Sequence, residues 1–338
     1  MPPAPADTAG RLAAAVGTWL ASLDDGQRER AVFPFETDER FAWDYTPVHW
    51  QGLMIGDMTA AQREAAFAIV AAGMSERGAA ETRAVIALET VLGALERDAG
   101  RPSQHRRDPE RYWFAVFGDP QSRADGPGPT WSWRIGGHHV TIHQTVVDGV
   151  VAGTPSFLGA NPAVVPRGPE TGRRTLPGEE SLGRALLTSL RPDQRSVAVI
   201  DPVAPPDILS GTGRRATVDG IAGGIRRGDL DPTQQSTFDG LVRHYLERAR
   251  HDIADRSWQR VVDGGLDEAT FAWAGSDRPG EGHYYAIRGR DLLIEYDDTQ
   301  NGANHIHAVW RDLTDDWGED LLRAHYRTHH AGGGSAGR

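Results

Sequence analysis

The sequence predicts an α+β protein of two similar lobes, each with helices packed on a small antiparallel sheet. Its 338 residues exceed the length at which one hydrophobic core usually stops growing. The same helix-start pattern occurs twice in each half, and aromatic strand segments follow each pair. We therefore predict an internal duplication.

Each helix-start pattern consists of a leucine or methionine, three further residues and then a glutamine. The four copies begin at Leu23, Met58, Leu190 and Leu230. In three copies the next residue, Asp24, Thr59 or Asp231, can cap the helix while the glutamine completes a capping box. Arg191 breaks this cap in the fourth copy, but Pro192 still suits the first turn of a helix.

Two long amphipathic helices are predicted over residues 79–98 and 234–263, where apolar residues recur at helical spacing. Strands are predicted where aromatic and β-branched residues gather. One such segment, FAVFG at 114–118, resembles FAWAG at 271–275. The likeness places the two segments at the same position of the two lobes.

The following strand segments can also be aligned. WSWRIGGHHVTIHQT from Trp131 can be aligned in sequence with HYYAIRGRDLLIEYD from His283, and this alignment matches His143 with Glu295. The alternative is that helix starts and aromatic strands resemble each other by chance. If the duplication is real, polar clusters on the two segments lie on related strands.

The predicted boundaries follow from composition. Residues 1–165 form the first repeat, and residues 190–330 form the second. The segment 166–189 is rich in proline and glycine at its start and is predicted to be a linker. Residues 331–338, AGGGSAGR, are predicted to be a flexible tail because they are too rich in glycine to pack.

Composition excludes several classes of function. The chain has 36 basic and 47 acidic residues, a net charge of −11, and no basic run, which argues against nucleic acid as a partner. Cysteine is absent, so any metal must be held by nitrogen and oxygen. No leader-like or membrane-spanning apolar stretch is found, which predicts a cytoplasmic protein without a membrane partner. Nothing in the sequence indicates an oligomeric state.

Ionisable residues gather in two short segments. GGHHVTIHQT contains His138, His139 and His143, and residues 291–312 contain Glu295, Asp297, Asp298, His305 and His307. Groups at this density are costly to bury unless they are paired or hold a metal. We interpret the two clusters as halves of one site between the lobes.

The strand pattern sharpens this interpretation. Alternate side chains of a strand share a face, so His139 and His143 are expected to point the same way and His138 the other way. Glu295 interrupts an apolar strand and needs a partner there. His305 and His307 form an H-x-H pair that suits a divalent metal.

These considerations give three sets of candidate residues. The predicted metal ligands are His138, His139, His143, Glu295, His305 and His307, and the metal is Zn, Mn, Fe or Cu. The predicted catalytic residues are Glu295, Asp298 and His139. The predicted substrate-binding residues are Gly159, Asn161, Tyr285, Asn304 and Arg311.

The leading functional hypothesis is a metal-dependent enzyme in which a metal-activated water hydrolyses a small-molecule substrate. A non-haem metal-dependent oxidoreductase is the alternative. A third hypothesis is a non-catalytic protein that binds a small ligand and whose histidines only form hydrogen bonds. At the level of the site, a polar network between the repeats and a metal-free acid–base site also remain open.

The chain resembles the family catalogued as domain of unknown function 3500. The resemblance rests on QRERAVFPF, ERFAWDYTP, RDPERYWFAVFG, WRIGGHHVTIHQTVVDG, PSFLGANPA, FAWAG, GHYYAIRG and LLIEYDDTQNGANHIHAVWRDLTDDWGEDLLRAHY. These stretches run from about residue 25 to 328. The resemblance implies a shared fold and a shared pocket, and it names no activity.

Overall fold

The structure is a computed structural model. It describes residues 7–100, 106–122, 128–218, 220–221 and 223–329. The predicted flexible tail, residues 331–338, lies outside the described residues.

The described part of the chain contains nine α-helices. They are α1 Thr8–Ala21, α2 Asp25–Ala31, α3 Ala60–Gly73, α4 Glu76–Asp98, α5 Pro177–Ser189, α6 Pro192–Ala198, α7 Pro232–Leu246, α8 His251–Asp263 and α9 Glu319–His329. The prediction of a helix over residues 79–98 is confirmed by α4. None of these helices is long and apolar enough to cross a membrane.

One helix prediction and the linker prediction are corrected. Residues 234–263 form α7 and α8 and not one helix, because the backbone between them turns to bond the start of α4. Ser75 donates its N–H to the carbonyl of Arg248, and Ala249 forms a bridge with Met74. The expected linker at 166–189 contains α5 at its end, since Pro177 opens a helix there.

The strands belong to one 13-stranded, mostly antiparallel sheet. They are β1 Val32–Phe33, β2 Leu53–Met54, β3 Tyr112–Phe117, β4 Trp131–Gly137, β5 Val140–Val147, β6 Val150–Ala152, β7 Ser156–Ala160, β8 Val199–Asp201, β9 Ile225–Arg226, β10 Thr270–Gly275, β11 His283–Arg288, β12 Leu292–Asp298 and β13 Ile306–Asp312. The main path runs β1-β3-β4-β5-β7-β13-β12-β11-β10-β8.

A continuous sheet replaces the two small sheets expected from the sequence. β7 of the first half pairs with β13 of the second half, from Ser156↔Trp310 to Ala160↔Ile306. Both strands are buried, so without this pairing each would leave a row of N–H and C=O groups unpaired. The junction between the halves therefore lies inside the sheet.

The two halves share an order of elements. The series α1, α2, β1, β2, α3, α4, β3, β4, β5 corresponds to α5, α6, β8, β9, α7, α8, β10, β11, β12. Strand register corresponds as well, because Ile135 pairs with Ile142 in one half and Ile287 pairs with Ile294 in the other. The register places His143 opposite Arg134 and Glu295 opposite Ala286.

The predicted capping boxes of α2, α3 and α7 all form. The buried N3 glutamines of α2 and α3 form one hydrogen-bonded pair, and those of α6 and α7 form a second. Gln62 donates to Gln27 at 2.7 Å in the first half, and Gln194 and Gln234 exchange amide contacts of 2.9 Å in the second. The repeated helix-start pattern therefore places a glutamine pair at the same place in each half.

Helices cover one face of the sheet and irregular segments cover the other. The largest apolar cluster joins the sheet to α1, α3, α4, α5, α7 and α8. On the second face, Tyr45 and Ile208 from connecting segments pack against Phe157 and Val309. The candidate site lies on this second face, where the connecting segments meet the central strands.

Candidate metal centre

Three histidines from distant segments meet beside the central strands. His139 lies in the turn between β4 and β5, His305 directly precedes β13, and His307 is its second residue. The Nε2 atoms of His139 and His305 are 2.9 Å apart. One ring nitrogen from each histidine lies within 4.8 Å of the other two. The structure thus brings together three of the six residues predicted as ligands.

The backbone around Gly159 makes the convergence possible. Gly159 pairs with His307 in the sheet and donates its N–H to the carbonyl of His139 at 2.8 Å. A Cβ atom at Gly159 would lie 2.8 Å from the carbonyl oxygen of Ile306 and 3.0 Å from the His139 ring. Only glycine lets the turn and β13 approach this closely.

The turn also explains why strand alternation fails for His138. His139 has φ of 64°, so it belongs to a tight turn and not to the strand. The rings of His138 and His139 consequently stack with centroids 3.8 Å apart. Nδ1 of His138 lies 2.5 Å from Glu89 on α4. His138 is therefore paired with a carboxylate beside the histidine group and is not part of it.

A carboxylate fixes the orientation of His307. Nδ1 of His307 lies 2.7 Å from Oδ1 of Asp207, and the hydroxyl of Tyr45 donates to the other oxygen at 3.2 Å. A proton on Nδ1 then points at Asp207, which leaves the lone pair of Nε2 available to a metal. Burial acts to raise the pKa of Asp207, but hydrogen bonding and the charge of His307 hold it below the ordinary value.

A second carboxylate lies behind His307. Asp297 pairs with His307 in the sheet, and its Oδ2 is 3.8 Å from Nδ1 of that histidine. Burial raises the pKa of Asp297 to about 8, and the charges of Asp207, Asp298 and Glu295 act in the same direction. Asp207, Asp297 and His307 form the second group in the described chain whose spacing could hold a cation.

Burial keeps two of the histidines neutral. It lowers the pKa of His139 well below the ordinary value, and neighbouring histidines lower it further. Burial likewise lowers the pKa of His305 to about 3. Neutral imidazole is the form that binds metals, so the protein presents these two rings ready for ligation near neutral pH.

Two amides and a backbone contact hold His305. Asn161 and Asn301 place their side-chain amides 3.4 and 3.5 Å from Nδ1 of His305. Rotation of either amide would offer an oxygen to a proton on that nitrogen. Asp298 accepts the backbone N–H of His305 at 2.8 Å. Asn301, Gly302 and Ala303, in the turn that precedes His305, all have positive φ.

Glu295 lies apart from the histidines. Its carboxylate accepts the backbone N–H of Leu209 at 2.6 Å, that of Ser210 at 3.1 Å and the hydroxyl of Tyr284 at 2.8 Å. The nearby arginines are engaged elsewhere, since Arg290 pairs with Asp291 and Arg311 pairs with Asp316. Burial raises its pKa, and these hydrogen bonds oppose that rise. Glu295 therefore anchors the segment that carries Asp207.

His143 and Asp298 also differ from expectation. His143 is packed between the rings of Phe117 and Trp317, at centroid distances of 6.1 and 4.8 Å, and belongs to neither candidate metal group. Asp298 is bonded to the centre through the backbone N–H of His305. Burial raises the pKa of Asp298 to about 6. Its side chain borders a groove beside Arg184 on the helix-covered side.

The predicted substrate-binding residues divide into two groups. Gly159 and Asn161 contact the histidines directly, as described above. The other three are engaged elsewhere. Asn304 bonds both backbone groups of Val164, Tyr285 bonds Tyr245 and the carbonyl of Glu179, and Arg311 pairs with Asp316.

Two carboxylates at the centre were absent from the three sets of candidate residues. Asp297 was recognised in the ionisable cluster of residues 291–312, and it shares a strand face with Glu295, but it was assigned no role. Asp207 lies in the connecting segment APPDILS, which has no periodicity, and no sequence signal marks it. It is also the carboxylate through which the centre reaches solvent, because its side chain is 36% exposed.

A cavity of about 250 Å³ lies on the other side of His138. Its wall includes Glu89, Arg111, Tyr112 and Trp113. His138 lines this cavity, and its ring stacks on that of His139. The centre thus has solvent on the Asp207 side and a partly open polar cavity next to the stacked histidines.

A family model described as a protein of unknown function, DUF3500, matches residues 6–319. No curated protein and no solved structure matches the chain. The matched range includes all three histidines, Asp207 and both glutamine pairs. With most of its 338 residues covered by that model, the chain belongs to the DUF3500 family.

Proposed function

We propose that this protein is a metal-dependent enzyme, most simply a hydrolase of a small-molecule substrate, with His139, His305 and His307 as the metal ligands. The observation that carries the proposal is the meeting of three imidazole nitrogens from two segments far apart in sequence. A divalent metal at such a centre would activate a water molecule or polarise a substrate carbonyl.

The spacing of the nitrogens supports ligation. Two imidazole nitrogens bound to one zinc ion at about 2.0–2.1 Å are separated by about 3.0 to 3.4 Å, depending on the angle at the metal. Nε2 of His139 and Nε2 of His305 are 2.9 Å apart. The two rings therefore need to separate by only a few tenths of an ångström.

The carboxylates have supporting roles in this proposal. Asp207 orients His307 and sets which of its nitrogens carries the proton. Glu295 in turn holds the backbone at Leu209 and Ser210, two and three residues beyond Asp207. A small substrate would approach from the exposed side of Asp207, where the cover over the centre is thinnest.

An oxidoreductase is the second candidate. A ligand set made of imidazole nitrogens with open positions also suits iron or copper. Metal identity separates the two functions. Zinc supports hydrolysis, whereas oxygen consumption by the iron- or copper-loaded protein would support redox chemistry.

The test is metal analysis of protein prepared without a histidine tag. We expect about one equivalent of metal per chain and a loss of most of it in His139→Ala, His305→Ala and His307→Ala. His49→Ala is the control, because that exposed histidine lies outside the group. Full metal content in the three variants, or none in the wild type, would contradict the proposal and favour a non-catalytic ligand-binding protein.

We also propose that the chain arose by internal duplication. The corresponding order of elements and the equal register of β4–β5 and β11–β12 support it. Residues 112–149 and 269–310 should then superpose by a rotation close to twofold in an experimental structure. A superposition that does not place Ile135 and Ile287 at equivalent positions would contradict the duplication.

A further inference from the structure

Four buried polar side chains form a patch away from the metal centre. Ser132 and Arg134 lie on β4, and Thr145 and His143 lie opposite them on β5. The cross-strand pairs Ser132↔Thr145 and Arg134↔His143 are two residues apart, so the four side chains share one face of the sheet. All four are 0% exposed. We call them the polar quartet.

The polar quartet contains an unusual number of polar atoms without a partner. The hydroxyls of Ser132 and Thr145, Nε of Arg134 and both ring nitrogens of His143 form no hydrogen bond within the described residues. A buried polar group without a partner destabilises a fold, and such groups are normally satisfied by something bound. Five of these atoms on adjacent positions indicate a shared occupant.

The quartet is covered by Arg40 and by the segment at Trp317. Arg40 is 4% exposed and donates to the carbonyls of Phe35 and Trp317 at 3.1 and 3.0 Å. The ring of Trp317 contacts His143, and a Cβ atom at Gly318 would lie 2.9 Å from Thr145. These contacts and the complete burial of the four side chains close the quartet off from solvent.

The charges around the quartet leave a positive excess. Arg134 is neutralised by Glu39 at 2.8 Å. Burial lowers the pKa of His143 well below the ordinary value, and the charges of Arg40 and Arg134 lower it further, so His143 is neutral. Arg40 contacts no carboxylate of the described residues, and the charges of Glu319 and Glu36 act on it only from a greater distance. Its guanidinium lies 4.2 Å from the ring centroids of Phe35 and Phe41 instead.

We propose that the polar quartet binds a monovalent inorganic anion of about the size of chloride. The ring N–H of His143, the two hydroxyls and the Nε–H of Arg134 donate to the anion, and Arg40 supplies the balancing charge. Water could satisfy the same donors, but it would bring no negative charge into contact with the buried guanidinium of Arg40.

Bromide identifies the occupant directly, because its anomalous scattering separates it from water. The site is closed, so the protein is unfolded, refolded in sodium bromide and crystallised from it. We expect an anomalous peak within hydrogen-bonding distance of His143 and Thr145. Density explained by water molecules alone, with no anomalous peak, would overturn the proposal.

Melting temperature provides a second measurement. Above the Kd of the site, each tenfold rise in chloride at constant ionic strength, with sulfate as the replacing anion, should raise the melting temperature by about 2 °C. Thr145→Val keeps the strand shape and should abolish the increment, whereas Thr270→Val on β10 should retain it. An equal increment in Thr145→Val would refute the assignment. Metal content should not change in either variant, so failure here leaves the metal centre untouched.

Discussion

The ring orientation of a single histidine decides whether the proposed centre can bind a metal. His307 has carboxylates near Nδ1, Asp207 at 2.7 Å and Asp297 at 3.8 Å. Only Asp207 is close enough to fix the proton on that nitrogen. The position of one proton therefore depends on a residue from an irregular segment 100 positions away in sequence.

Asp207→Asn should weaken metal binding by about 10- to 100-fold without unfolding the protein, because an amide no longer fixes the His307 tautomer. Competition with a chelator measures the affinity, and circular dichroism checks the fold. Asp193→Asn is the control, since that side chain is 72% exposed. Unchanged affinity in Asp207→Asn would mean that His307 is oriented by something else.

Gly159→Ala tests the close approach of β7 to the His139 turn. The added methyl group would meet the Ile306 carbonyl and the His139 ring, so we expect loss of metal and a destabilisation of about 1–3 kcal/mol. Gly240→Ala is the matched control, because a Cβ there meets nothing within 4 Å on helix α7. That control should be neutral or up to about 1 kcal/mol more stable. Equal effects in the two variants would show that crowding at Gly159 is unimportant.

At the scale of elements, the segment around Asp207 depends on Glu295 in β12. The carboxylate of Glu295 receives the backbone N–H groups of Leu209 and Ser210 and the hydroxyl of Tyr284. A strand residue thereby holds a segment without secondary structure of its own. The anchor explains why a glutamate interrupts the apolar run of β12.

Glu295→Gln should lower the free energy of unfolding by about 1–3 kcal/mol, because an amide nitrogen would face donors that now meet a carboxylate. Chemical denaturation measures the change. Metal affinity should fall as well, since the Asp207 segment loses its anchor. Glu247→Gln, at a 57% exposed site, should alter neither quantity. A stable Glu295→Gln variant with normal affinity would show that this segment is held by other contacts.

Local patterns predicted the elements well where the cause is local. The capping boxes at Asp24, Thr59 and Asp231 form because their partners are three residues away. The break between α7 and α8 could not be predicted, since it depends on the contact of Ala249 with Met74 in the other half. The paired strands β7 and β13 depend on contacts across the whole chain in the same way.

The candidate site shows the same contrast between features with a local cause and features that depend on distant contacts. The H-x-H pair and the His138–His139 cluster were visible in the sequence. Of the six residues predicted as ligands, His139, His305 and His307 come together. Glu295 was predicted as a ligand because its need for a partner was clear, but backbone N–H groups meet that need and sequence cannot reveal them.

At the scale of the whole molecule, a buried ionic network connects the helices of the two halves. Arg248 follows α7 and contacts Glu179 of α5, while its Nε lies 3.4 Å from Glu81 of α4. His244 adds a contact to Glu179 at 2.9 Å. Arg248 and Glu179 are almost completely buried, so removal of one charge would leave the other without compensation.

This network predicts how stability responds to acid. Burial acts to raise the pKa of Glu179, but Arg248 and His244 outweigh it and lower the pKa from 4.5 to about 2. A carboxyl with a depressed folded-state pKa stabilises the protein fully above the unfolded-state value and loses that contribution as pH falls from about 4.5 towards 2. The contribution at neutral pH is about 3 kcal/mol.

We expect the wild-type free energy of unfolding to fall steeply between pH 4.5 and 2. Glu179→Gln should be less stable at pH 7 and should show a shallower fall below pH 4.5, whereas Glu247→Gln should follow the wild type. Parallel curves for wild type and Glu179→Gln would mean that the acid sensitivity of the fold arises elsewhere.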